Sequence, residues 1–173
     1  MNPFNLKEEI LREHSKAQCN KITEWVGDSQ TRFDELFDLF LHSEYRVTQR
    51  AAWPLSYCVN THPYFIEKRF AELLGNLSKA GLHNAIKRNT LRILQNLDIP
   101  EKHQGEVMHI CFQYVELPTE AVAIKAFALT ILGKLAKLYP EIVPEIRLLI
   151  EEQLPHQTAA FKNRANRLLK VFG

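Results

Sequence analysis

The stretch Ala85–Leu94, AIKRNTLRIL, returns as Ala123–Leu132, AIKAFALTIL, with six of ten positions identical at a separation of 38 residues. A phase that recurs once at such a distance should recur again on either side if the chain is built from tandem units. It does. Downstream, AAFKNRANRLL places Phe161 at the position held by Ile86 and Ile124. Upstream, RVTQRAAWPL places Val47 there. Each anchor is followed at +4 by a small or β-branched residue (Ala51, Thr90, Ala128, Ala165) and at +8 by Leu (Leu55, Leu94, Leu132, Leu169). Offsets of four, seven or eight, and eleven lie on one stripe of a 3.6-residue period, so every anchor opens a helix with one buried face. The small +4 residues predict close approach of a neighbouring helix.

Between these helices lies a second periodic segment, and three such segments follow a proline: Pro63, Pro100 and Pro140. Proline suits a first helical turn, where its missing N–H would have no partner in any case. The unit is therefore a helix, a turn and a second helix. Two further helices are expected before Val47, over Leu6–Val26 and Ser29–His42, with Gly27, Asp28 and Ser29 as stop and start signals. The expected fold is all-α, a right-handed α-α superhelix (solenoid) of about four helix pairs plus a C-terminal capping helix. It forms one domain over residues 1–173, with approximate units 1–43, 44–81, 82–117, 118–155 and a cap at 156–173.

In period, helix-pair grammar and extent the chain resembles the HEAT and armadillo class of α-helical repeat proteins. Trp53-Pro54 also sits inside a first helix, where HEAT units often carry a kinking proline. The resemblance implies a non-enzymatic interaction scaffold that binds a macromolecular partner along successive helices, with a protein as the expected partner.

Bulk composition agrees with a folded chain: 173 residues, 46% of them hydrophobic, suffice for a sizeable core. The net charge of +2 announces no partner by itself, but its distribution is uneven. First helices (45–60, 83–97, 119–139 and 157–172) sum to +11, whereas second helices (28–42, 64–80, 101–116 and 140–154) sum to −7. If like helices share a side, the basic row carries Arg46, Arg50, Lys87, Arg88, Arg92, Lys125, Lys162, Arg164 and Arg167 as candidate partner-binding residues, and Lys87, Lys125 and Lys162 form a ladder in one repeat phase. Nucleic-acid backbone is then an alternative partner through the basic row, without base readout, since no zinc-finger spacing or RNA-binding aromatic signature occurs.

The rest of the sequence narrows the chemistry. Cys19, Cys58 and Cys111 are isolated, fitting reduced buried thiols rather than a disulfide framework or zinc knuckle. His103 and His109 lie six apart, on different helix faces, and no HExxH occurs, so no metal is expected. There is no GxSxG, P-loop or GxGxxG, and neither a cofactor nor catalytic residues are assigned. The HEAT-like alkylpurine DNA glycosylases resemble the chain in stacked helix pairs with a basic groove. That resemblance implies a catalytic Asp beside aromatic residues, for which Asp28, Trp25 and Trp53 are the candidates, although no motif matches residue by residue. The opening MNPFNLKEEILREH has no apolar leader core, and Lys125, Lys134 and Lys137 interrupt the most apolar stretch, Ala121–Leu138. The expectation is a cytoplasmic protein with no membrane partner.

Overall fold

The computed structural model describes residues 4–79 and 81–173. Among them eleven α-helices and two short 3-10 turns occur, and no strand. The helices gather into two compact units, residues 1–97 and 98–173.

In the first unit, α1 (Leu6–Arg12) starts where the Asn5 side chain accepts from the Glu8 backbone N–H. The expected single helix over Leu6–Val26 is broken. Glu13 turns extended, and Ser15 caps a new helix, α2 (Lys16–Val26), by accepting from the Gln18 N–H at 3.1 Å. A capping hydroxyl offers the backbone an alternative to continued helix, and Ser15 takes it. The two short helices are tied by Glu9, whose carboxylate accepts from Gln18 Nε2 at 2.7 Å and Lys21 Nζ at 2.8 Å. These partners hold its pKa below the ordinary 4.5, Lys21 first. Gly27 ends α2 at φ 54°, and its N–H donates to the Thr23 carbonyl; side chains rarely adopt that φ.

Ser29 caps α3 (Gln30–His42), which buries Phe33, Leu36, Phe37 and Phe40 at i, +3, +4 and +7. Next come α4 (Tyr45–Thr61), α5 (Tyr64–Glu67), α6 (Phe70–Leu77) and α7 (Asn84–Leu94). Helix α4 is the hub of the unit, packed against α1, α2, α3, α5 and α7. It runs through Pro54, where Ser56 Oγ donates to the Trp53 carbonyl. The second helix expected after Pro63 is also interrupted, at Lys68 and Arg69. Arg69 leaves the helix to reach back to α3, where its guanidinium pairs with Asp34 and Asp38, and it also pairs with Glu72.

The second unit contains α8 (Glu101–Glu116), α9 (Val122–Leu135), α10 (Val143–Gln153) and α11 (Ala159–Phe172). Pro140 opens a 3-10 turn, Pro140–Ile142, rather than the α-helix itself, which starts three residues later with Pro144 in its first turn. Helix α9 is central, packed against α8 and α11, and buries Ile124, Ala128, Ile131, Leu132 and Leu135. Each such Leu or Ile contributes about 1.5–3 kcal/mol relative to exposure.

The repeat phase survives in three dimensions. Ala51, Thr90, Ala128 and Ala165 are all 0% exposed. Helix α4 lies against α7, and α9 against α11, as equivalent helices of adjacent units should. Val47, Ile124 and Phe161 are fully buried, whereas Ile86 is half-buried.

Candidate functional site

The second unit carries a groove of about 550 Å³ between α9 and α11. Thr130, Lys134 and Lys137 contribute from α9 and the turn after it, at i, +4 and +7. Ala160, Arg164, Arg167 and Val171 contribute from α11 at i, +4, +7 and +11. Both sets are single helical stripes, so the groove is where two exposed faces meet. Gly133 lets the helices approach: a Cβ there would lie 2.4 Å from Leu168 Cδ1.

Four cations and no carboxylate line this groove. Arg164 is fixed in place, its Nη1 donating to the Ala126 carbonyl at 2.9 Å and its guanidinium lying 5.4 Å from the Phe127 ring centroid. Beside the charges lie Leu129, half-buried Leu168, and Val171, which is 66% exposed. The surface is thus both positive and apolar. Exposed ion pairs contribute only about 0.2–1 kcal/mol each, so charge sets orientation, encounter rate and selectivity. Covering Leu168 and Val171 supplies burial energy.

The nine basic residues expected from the sequence end up in different places. Arg164 and Arg167 line the α9–α11 groove. Arg88 and Arg92 line a second groove, in the first unit, with His14, Trp53 and Tyr57. Arg46 is exposed, and Lys87 and Lys162 are half-buried. Arg50 is partly committed, donating to the Leu11 carbonyl at 2.7 Å.

Lys125 requires a correction, because it does not belong to any solvated ladder. It is 1% exposed, and its Nζ donates at 2.8 Å to Gln153 Oε1, while Gln153 Nε2 donates to the Val115 carbonyl. Burial pushes its pKa down, and the nearby Glu120 carboxylate opposes the shift. The amine links α9 and α10 from inside. Lys134 and Lys137, which the repeat phase of Lys87 did not single out, instead join Arg164 and Arg167. Their i, +4, +7 stripe from Thr130 was the signal for them.

The three cysteines are buried and unpaired, and burial raises each thiol pKa, that of Cys58 to about 12. His103 pairs loosely with Glu106 at 3.9 Å, and His109 is exposed. Among the described residues, ligand atoms of Asp38, His42 and Glu72 lie within 4.8 Å of one another. A resident cation already serves them: Arg69 binds Asp38 and Glu72, and its hydrogen bond holds the Glu72 pKa low. Asp28 is exposed, and half-buried Trp25 stacks on Phe4 at 4.7 Å between centroids. No described helix is long and apolar enough to cross a membrane.

No curated protein and no solved structure matches the chain. A family model described as the HEAT repeat domain matches residues 6–171, from the start of α1 into the last turn of α11. The recurring anchors, the buried small residues at +4 and the paired helices are therefore the repeat of an established family: the chain belongs to the HEAT repeat domain family.

Proposed function

We propose that this helical repeat scaffold holds an acidic, amphipathic segment of a protein partner in the α9–α11 groove. The observation that carries this reading is the composition of the groove: Lys134, Lys137, Arg164 and Arg167 with no carboxylate, beside half-buried Leu168 and exposed Val171. A purely electrostatic partner would leave the apolar residues unused. A purely apolar one would have to desolvate four cations without compensation. An amphipathic helix with acidic residues on the margin of its apolar stripe satisfies both demands, in the helix-in-groove manner.

The test is fluorescence anisotropy with a labelled helical peptide that alternates Glu and Leu at i, i+3 and i+4. The wild type binds it saturably and more weakly as salt rises. Lys134→Glu, Lys137→Glu and Arg167→Glu together, all outside the buried core, weaken binding by at least about tenfold. Equal binding by the triple variant removes the groove as the docking site. Duplex DNA that competes with the peptide, with a steep salt dependence, would instead favour nucleic-acid backbone as the partner.

A further inference from the structure

The groove of the first unit, about 370 Å³, has a different composition. Trp53 and Tyr57, one turn apart on α4, form one wall. Arg88 and Arg92, one turn apart on α7, form the other. His14, in the turn between α1 and α2, closes against Trp53 with ring centroids 5.4 Å apart. No carboxylate lines it. Its volume falls in the range of about 300–1,000 Å³ usual for small-ligand sites.

Asn89 gives the groove a specific polar feature. It sits between the arginines, lines the groove and is only 7% exposed. Its side-chain amide lies beside the guanidinium-bearing positions Arg88 and Arg92. An asparagine amide offers a ligand in a concave site one acceptor and two donor hydrogens. Aromatic faces accept a flat ring by stacking, exposed guanidinium groups accept phosphate, and an asparagine amide pairs bidentately with the N6/N7 edge of adenine. From the juxtaposition of Trp53, Tyr57, Asn89, Arg88 and Arg92, we infer that this groove binds a 5′-phosphorylated adenine nucleotide, free or as a unit of a single strand. The base stacks on the α4 aromatics and pairs with Asn89. The phosphate meets the two arginines.

The chain has two tryptophans, so Trp25→Phe leaves Trp53 as the sole reporter. This variant is titrated with adenosine 5′-monophosphate and, separately, with a short oligodeoxyadenylate. Saturable quenching is expected. Saturation by the mononucleotide identifies the free nucleotide as the source, and saturation by the oligonucleotide alone identifies a strand. Ribose 5-phosphate and adenosine each bind at least about tenfold more weakly, since each lacks one half of the recognition. Arg88→Glu with Arg92→Glu, both at exposed positions, lowers affinity by at least about tenfold while far-UV circular dichroism is unchanged. Absence of saturable quenching by either probe, equal binding by ribose 5-phosphate, or equal binding by the arginine variant overturns the inference. Peptide binding in the α9–α11 groove is read separately and does not depend on this result.

Discussion

Replacing Thr90 by Val should make the protein more stable. Thr90 occupies the +4 repeat position on α7, where the equivalent residues are Ala51, Ala128 and Ala165, and like them it is 0% exposed. Its hydroxyl oxygen is buried without a hydrogen-bond partner. Burying an unpaired hydroxyl costs about 1–3 kcal/mol, and valine keeps the branched shape while removing that cost. The expected gain is about 1–2 kcal/mol. For a unit of this size that corresponds to a rise of about 4 °C or more in Tm. Thr90→Ala, which restores the residue of the other units, also removes the hydroxyl but gives up a buried methyl worth about 0.8 kcal/mol, so its net change is small. Trp25 and Trp53 both lie in the first unit, so urea unfolding followed by tryptophan fluorescence reports on that unit. A Thr90→Val variant no more stable than the wild type would mean that the hydroxyl is satisfied in solution, and the argument from its isolation would fail.

Three other outcomes are expected. Glu9→Gln should cost about 1–2 kcal/mol at neutral pH, because the carboxylate loses charge-assisted bonds between α1 and α2. Since its folded pKa is depressed, the wild-type advantage is present above the ordinary 4.5 and disappears as pH falls through the folded value, as read by tryptophan fluorescence in urea. Lys125 has the opposite dependence. Its folded pKa is lowered, so the cost of its buried charge is carried in full below that value; between there and the ordinary 10.5 the unfolded chain holds more protons and stability rises with pH. Urea unfolding followed by circular dichroism at several pH values should show the wild type gaining on Lys125→Met across this interval. Gly133→Ala should leave stability within about 1 kcal/mol, because the helix gains propensity while Leu168 must change rotamer. The displaced leucine should intrude on the groove and weaken acidic-peptide binding in the anisotropy assay.

Much of the architecture was legible because it rests on local rules. Anchor, +4 and +8 positions follow helical geometry, and the burial of Ala51, Thr90, Ala128 and Ala165 expresses that periodicity directly. Ser29 marked the start of α3 because capping is local. The break at Glu13–Ser15 was hidden because Ile10, Cys19 and Ile22 keep an apolar pattern running past it. The interruption at Arg69 depends on Asp34 and Asp38, more than thirty residues away. The candidate site was less legible for the same reason. Lys87 and Lys125 share a repeat position and the same flanking Ala-Ile, yet one is half-buried and the other enclosed. The enclosed amine of Lys125 meets Gln153 on α10, twenty-eight residues away in sequence. Likewise, the stripes of α9 and α11 each show in the sequence, but their union into one basic groove depends on which faces meet.

The central claim, that the α9–α11 groove is a docking site for an acidic amphipathic segment, is tested most directly by methyl NMR. Methyl-labelled protein is titrated with the Glu/Leu peptide. Saturable shifts are expected at Leu129, Leu168 and Val171, with the buried methyls of Leu55 and Leu94 in the first unit unmoved, and reversal of the shifts when salt is raised. Saturable shifts confined to other methyls, or no shifts at peptide concentrations that saturate anisotropy, would contradict it.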